Sequence, residues 1–330
     1  MERNPVPEEG GLSGEEVKGP VGRLAPSPTG ALHLGNARTF LAAWLSVRSR
    51  GGACLLRIED LDGPRVKREA VAETLEDLSW LGLDWDGEPM LQSPRIPRYE
   101  TARMHLEAKG WIYPCVCTRS EIAAAQSAPQ GPKDHGMRYP GTCRGRFADA
   151  AQARAETGKD PAWRFRVPEG TVVPFRDRFH GEIEVPVDAE VGDFVVAKRD
   201  GQPAYQLAVV VDDADFGIDE VCRGDDLLSS TGRQLLLYEA LGARPPDFLH
   251  LPLVVGPDGR RLAKRHGDTR LSWFRRRGVP AAEVCGFLAW TLGLRPTREP
   301  TTPDRLLADF RPEAIPRESY VLEGDPFGKG

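Results

Sequence analysis

Residues 21–52 read VGRLAPSPTGALHLGNARTFLAAWLSVRSRGG. The opening VGRL is short and extended, and Pro26 and Pro28 stop it, because a residue before proline is pushed out of the helical region. Beyond the prolines the period changes: Phe40, Leu41, Trp44 and Leu45 recur at helical spacing. Arg48 and Arg50 fall in the last turn and Gly51-Gly52 follows, which is how a helix ends. The next stretch, ACLLRIEDLD at 53–62, is an apolar strand that turns polar at its end. Strand, tight loop, helix, strand is half of a nucleotide-binding α/β sheet. His33 and Gly35 stand where the strand becomes the helix.

That position suits an anion. The first amides of a helix have no intrahelical partner, and the helix dipole favours negative charge there. Gly35 would let a phosphate or a base approach the backbone, His33 can donate to a phosphate oxygen, and Asn36 can orient a neighbour. The plainer role for such a histidine is a cap or a satisfied structural residue. A second stretch strengthens the phosphate reading. Residues 260–266, RRLAKRH, put four cations and a histidine into a basic loop after VVGPDG. Such a run is usually a solvated turn, but paired with an upstream phosphate site it could close over a leaving polyphosphate, with Lys264 as the point charge.

Working outward, PRVKREAVAETLEDLSWLGLDW at 64–85 predicts a second helix with Val71, Leu75 and Leu78 as its buried stripe. Around 112–190, helical runs give way to prolines, glycines and three of the six cysteines, with short alternating pieces, AWRFRV and EIEV. This reads as an insertion between two halves of the sheet. YQLAVVV at 205–211 is nearly all apolar, as a parallel strand covered on both faces would be. DEVCRGDD predicts a strand with a polar end, STGRQLLLYEALG a helix with a Ser/Thr cap and a glycine stop, and FLHLPLVVG another strand. From 261 the chain is basic and then helical, as in VPAAEVCGFLAWTLG.

Bulk composition sets limits. A formal charge of −5 gives no general attraction to nucleic acid, so such a partner needs a local basic patch. No apolar run approaches the roughly eighteen residues of a membrane span. The first twenty residues hold five Glu, four Gly and three Pro and read as a disordered tail rather than a secretion signal. A reducing cytoplasm is the expected compartment, where six cysteines are not a disulfide framework. Cys115, Cys117 and Cys143 lie close in sequence and suggest zinc, with His135 the orthodox fourth ligand; three reduced thiols in a small core is the other reading. Cys54, Cys222 and Cys285 read as small core residues.

HLGN at 33–36 resembles the HIGH signature of class I aminoacyl-tRNA synthetases, and RLAKR at 261–265 resembles their KMSKS loop. RLAPSPTGALHLGNARTFLAAWL, RIEDLD, YQLAVVVDD and RLAKRHGDTRL together resemble the glutamyl-tRNA synthetase branch, in order and spacing, from about residue 21 to about 320. Asn36 replaces the second His of HIGH, and of the KMSKS lysines only Lys264 remains. Glutamyl-tRNA synthetases continue past this loop into a helical anticodon-binding domain. Here 65 residues follow Arg265, room for about two or three helices, so no such domain is expected. The shortened pattern is similar to the glutamyl-queuosine tRNA(Asp) synthetase family, which modifies a base instead of charging a 3′ end. Val209, where tRNA-charging relatives often carry Asn, agrees.

The resemblance implies a Rossmann-type class I synthetase catalytic domain, a mostly parallel sheet with helices on both faces, a zinc-containing insertion and a short C-terminal helical part. The expected division is a tail over 1–20, the first half of the catalytic domain over 21–110, the insertion over 111–195, the second half over 196–260, and the KMSKS-like loop with C-terminal helices over 261–330. The implied activity is ATP-dependent activation of L-glutamate to glutamyl-adenylate, without tRNA, then transfer to queuosine in the anticodon stem-loop of tRNA(Asp). ATP, with Mg²⁺, would be held by His33, Gly35, Asn36 and Lys264, with His33 and Lys264 catalytic. Glutamate needs two cationic donors and one anion. Arg23 and Arg223 can each fork onto a carboxylate, Glu59 can take the ammonium, Tyr205 can close the pocket, and Ser27 adds a donor. The family carries over Arg23, Ala25, Ser27, Glu59, Tyr205 and Arg223. It also implies Tyr139 as the fourth ligand of one structural zinc, with His135 in reserve. Arg260, Arg261, Lys264, Arg265, Arg270 and Arg275 to Arg277 form the candidate tRNA surface, on a monomer with no membrane contact. The rival readings are conventional charging of tRNA(Glu), a small nucleotidyltransferase, and a catalytically silent zinc and RNA-binding paralogue.

Overall fold

The computed structural model describes residues 18–28, 30–61, 68–124, 138–262 and 267–328. Lys264, Arg265 and His135 lie outside the described residues, as does nearly all of the expected tail. In chain order the elements are β1 (Val21–Leu24), α1 (Leu34–Arg48), β2 (Ala53–Ile58), α2 (Arg68–Leu81), β3 (Met90–Leu91), α3 (Ile96–Ala108), β4 (Ile112–Cys115), α4 (Arg119–Ala124), α5 (Ala150–Thr157), β5 (Ala162–Phe165), β6 (Val173–Asp177), β7 (Gly181–Val185), α6 (Val187–Glu190) and β8 (Phe194–Ala197). They continue as α7 (Tyr205–Asp215), β9 (Glu220–Gly224), α8 (Leu228–Leu241), β10 (Asp247–Leu251), β11 (Val254–Val255), α9 (Leu271–Arg276), α10 (Ala281–Thr291) and β12 (Tyr320–Val321).

The chain forms two compact units. One takes Met1–Leu91, Asp215–Asp225 and Pro246–Gly330; the other takes Gln92–Ala214 and Asp226–Pro245. In the first unit five parallel strands lie in the order β3-β2-β1-β9-β10. That is the order of a nucleotide-binding sheet, and the neighbours β1 and β9 mark the point where the strand order reverses. Ligands of such sheets bind beyond the carboxyl ends of the strands at that point. Helix α1 covers β1, β2 and β9 and also meets α10. Leu41, Trp44, Leu45 and Val47 are buried, whereas Phe40, expected with them, is half-buried. Each fully buried leucine contributes about 1.5–3 kcal/mol. Helix α2 departs from the expected stripe: Leu78 is buried, but Val71 and Leu75 are only partly covered, and the polar Thr74 and Asp77 go inside.

In the second unit β4, β5 and β8 form an antiparallel sheet, and β6 and β7 a hairpin. YQLAVVV, expected as a strand, is the start of helix α7. All eight residues from Gln206 to Asp213 are buried, so the helix is covered all round and shows no polar stripe. An apolar run of that length does not distinguish a buried helix from a buried strand. Helix α8 ends as expected at Gly242, whose φ of 67° is left-handed. It begins at Leu228 with no side-chain cap, earlier than the expected Ser/Thr start. FLHLPLVVG splits at Pro252 into β10 and β11.

Candidate active site and metal centre

The carboxyl ends of β2, β1 and β9 gather most of the expected glutamate residues. In the register Arg23 is level with Leu55 on β2, and Gly22 with Glu220 on β9. Side chains on one strand share a face at every second residue. Arg57 therefore projects on the Arg23 side, and so does Arg223, two residues beyond Arg23's neighbour Val221. Arg23 is buried, and its Nη1 donates to the Cys222 carbonyl at 3.3 Å. Arg223 is buried, and its Nε donates to His250 Nε2 at 2.9 Å. Past the end of β2, the Glu59 amide donates to the Pro26 carbonyl, and the Glu59 carboxylate accepts from Arg57 Nη2 at 3.0 Å. Ser27 Oγ reaches the Glu59 carbonyl at 3.5 Å, and Ala25 lies half-buried beside it in the chain. Tyr205 opens α7 in the other unit and is 40% exposed. Arg57 and His250 stand here beside the expected residues without having been among them. The signal for Arg57 was its i, i+2 spacing from Glu59; an acceptor inside the apolar FLHL leaves no such trace.

His33 caps α1. Its Nδ1 accepts from the Gly35 amide at 3.1 Å and the Asn36 amide at 3.3 Å, while Asn36 Oδ1 accepts from the His33 amide at 3.2 Å. The Leu34 amide donates to the Thr269 carbonyl at 3.0 Å, and the Leu271 amide to the Leu32 carbonyl at 2.8 Å. This corrects the picture of open amides awaiting a phosphate: the first turn is satisfied from within the protein. Gly35 leaves room for the imidazole, since a Cβ there would stand 3.0 Å from His33 Cε1. Because Nδ1 is an acceptor, the ring proton sits on Nε2, and that N–H is the group with which His33 can meet a phosphate. Burial first, then the Arg261 charge, pushes the His33 pKa down to about 4, so the ring is neutral at pH 7.

Thr269 and Leu271 are thus stitched to the cap region, and Arg261 bridges to Val255. Several arginines of the expected tRNA surface face acids of their own unit. Arg275 pairs with Glu76 and with Asp77 at 3.2 Å, Arg276 with Glu73 at 3.5 Å, Arg277 with Asp325 at 2.5 Å, and Arg270 with Asp268.

In the second unit the Sγ atoms of Cys115, Cys117 and Cys143 all lie within 4.8 Å of one another, an arrangement that could hold a metal ion. Tyr139 Oη is 3.4 Å from Cys115 Sγ and 3.5 Å from Cys117 Sγ. A tetrahedron with metal bonds of about 2.3 Å to sulfur and about 2.0 Å to oxygen has edges near these lengths, so the donor set fits zinc. Strand β4 supplies Cys115, and the loop at 139–143 is held by Asp193, which accepts from Arg144, Tyr113 and the Val167 amide. Arg164 donates from Nε to Cys115 Sγ at 3.2 Å, and its guanidinium lies over the Tyr139 ring at 3.8 Å.

Residues 21–300 match the family model of the class I tRNA synthetase (E and Q) catalytic domain. A glutamyl-Q tRNA(Asp) synthetase of Rhodopirellula baltica is 47% identical over 314 residues, covering 91% of this chain and 93% of its own. Its counterpart in Symbiobacterium thermophilum is 48% identical, covering 92% of this chain and 96% of its own. A glutamate–tRNA ligase 2 of Syntrophus aciditrophicus is 44% identical over 81% of this chain, but only 56% of its own length is matched. Among solved structures, a glutamate tRNA ligase of Elizabethkingia meningosepticum, in complex with its amino acid, superposes with a TM-score of 0.76 at 26% identity, over 91% of this chain and 66% of that one. A family match across the sheet and the HLGN segment, with relatives nearly half identical along almost the whole length, means that this chain belongs to the class I tRNA synthetases (E and Q) and is a ligase of that class.

Proposed function

We propose that the protein activates L-glutamate with ATP and transfers the glutamyl group to the queuosine base in the anticodon of tRNA(Asp). The observation that carries the glutamate reading is the single-face array of Arg23, Arg57 and Arg223 at the switch point of the sheet, with Glu59 bonded to Arg57 just past β2. Arg23 and Arg223 suit two carboxylates, and Glu59 suits the ammonium. The queuosine reading is supported by the names of relatives 47% and 48% identical along nearly their whole length.

In the first step a glutamate carboxylate oxygen attacks the α-phosphorus of ATP. The new P–O bond forms as the bond to the bridging oxygen breaks, and pyrophosphate leaves with that electron pair. No protein nucleophile is required; catalysis is positioning and charge stabilisation. His33 Nε2–H donates to a phosphate oxygen, and Lys264 offsets charge on the departing pyrophosphate. Mg²⁺ accompanying ATP would neutralise part of the phosphate charge. In the second step a queuosine hydroxyl attacks the activated carbonyl; the new ester C–O bond forms as the carbonyl's bond to the phosphate oxygen breaks, and AMP leaves with that electron pair, its phosphate taking up the hydroxyl proton. Cys115, Cys117, Cys143 and Tyr139 would hold one zinc that pins the 139–143 loop to β4, a structural role because all four positions are filled by protein.

The reading places a monomer in the cytoplasm; among the described residues no helix is long and apolar enough to cross a membrane. Labelled glutamate and ATP supplied with bulk tRNA test the assignment. Label is expected on queuosine-containing tRNA(Asp), even when its 3′ end is blocked. Label confined to tRNA(Glu), or lost with a blocked 3′ end, would reject it in favour of conventional charging, which the 44% identity to a glutamate–tRNA ligase keeps as the second reading.

A further inference from the structure

His250 lies fully buried on β10, directly opposite Arg223 in the parallel register. A guanidinium is a permanent donor with no acceptor. The 2.9 Å contact from Arg223 Nε therefore requires a lone pair on His250 Nε2, which makes the ring neutral with its proton on Nδ1. Phe248, two residues earlier on the same face, stacks near-parallel on His250, with centroids 5.9 Å apart and planes 16° apart. The Arg223 guanidinium also lies over the Phe248 ring at 5.3 Å. One hydrogen bond and one ring face thus fix both the position and the plane of the guanidinium.

Arginine can grip a carboxylate bidentately by two edges: side-on, through Nε and one terminal nitrogen, or end-on, through both terminal nitrogens. With its Nε–H engaged by His250, Arg223 meets a carboxylate through its terminal nitrogens. We propose that His250 is a positioning residue that sets this end-on presentation, and thereby the length of acidic amino acid the site accepts. End-on contact places the carboxylate further from the strand, which suits a dicarboxylate of one chain length. The edge that grips sets how far from β9 the carboxylate is held, and glutamate and aspartate differ in that reach by one methylene; glutamine brings no charge. This deepens the proposed function and rests on Arg223 as a glutamate-binding residue.

The test is ATP–pyrophosphate exchange with the full chain, titrating glutamate, aspartate and ATP separately. His250→Phe keeps a ring against Phe248 but removes the acceptor; His250→Gln restores an acceptor oxygen. His250→Phe is expected to raise KM for glutamate about tenfold or more, the scale of a lost charge-assisted hydrogen bond, and to narrow the preference for glutamate over aspartate. KM for ATP should stay within about twofold, and His250→Gln should recover most of the loss. If His250→Phe fails to fold, His250→Met, a flexible apolar chain, carries the same expectation. An unchanged glutamate KM and selectivity, or a uniform fall in kcat with both KM values intact, would overturn the proposal. If the wild-type protein shows no glutamate-dependent exchange, the functional reading itself fails and this proposal with it.

Discussion

His33 Nδ1 accepts the Gly35 amide at 3.1 Å, which makes the cap of α1 a neutral imidazole. Protonating Nδ1 would replace an acceptor with a donor facing two amides. Burial and Arg261 hold the folded-state pKa near 4, below the 6.5 of an unfolded histidine, so the unfolded chain binds the proton first as the pH falls. The resulting stability, up to about 3 kcal/mol, is present in full above pH ~6.5 and lost as the pH drops toward 4. Asp77, whose carboxyl burial pushes up to about 6 against the pull of Arg275, titrates with the opposite sign across much of the same window. The quantity to read is therefore the difference between wild type and His33→Asn, which keeps a capping side chain without the titration. The wild-type thermal midpoint should fall relative to that of His33→Asn as the pH drops from 7 to 4.

Glu59→Gln preserves shape but removes the charge proposed to take the substrate ammonium. KM for glutamate in pyrophosphate exchange should rise by roughly one to two orders of magnitude, with KM for ATP little changed. Equal changes in both would assign Glu59 a purely structural part as the partner of the buried Arg57.

Cys143→Ser should abolish binding of zinc at the second unit and lower the temperature at which that unit melts, seen as a separate early transition. Arg164→Gln leaves all four donors in place but removes the cation on Cys115 and Tyr139. Competition with a chromogenic chelator should then show zinc affinity about 10–100-fold weaker, the usual effect of losing an outer hydrogen bond to a metal ligand. Unaltered affinity would leave Arg164 as a packing residue.

Gly286 lies in the buried α10, and a Cβ there would stand 2.1 Å from the Glu299 carbonyl oxygen. That contact is with backbone, so it is relieved only by moving α10 or the 298–299 segment. Gly286→Ala should cost about 1–3 kcal/mol or more in chemical denaturation, even though alanine is the better helix former.

Local patterning alone determined the strand–loop–helix–strand opening, the ends of α1 and α8 at glycines, the strands carrying Arg23 and Arg223, and the grouping of three thiols; Tyr139 beside them came from the family resemblance. These follow from side-chain period and turn chemistry, which act between residues a few positions apart. Other features depend on partners far away in the chain. Whether YQLAVVV was helix or strand depended on what surrounds it, because burial on every side erases the period that would tell them apart. That His33 is a cap is visible only when Thr269 takes the Leu34 amide and the imidazole fills the next two; the sequence offers the cap and the phosphate ligand side by side. The basic run at 275–277 reads as a free patch until α2 brings Glu73, Glu76 and Asp77 against it, some 200 positions from their partners. His250 becomes meaningful only when β10 lies beside β9. Charge and hydrogen-bond partners are chosen by proximity in space, and a sequence records proximity only along the chain.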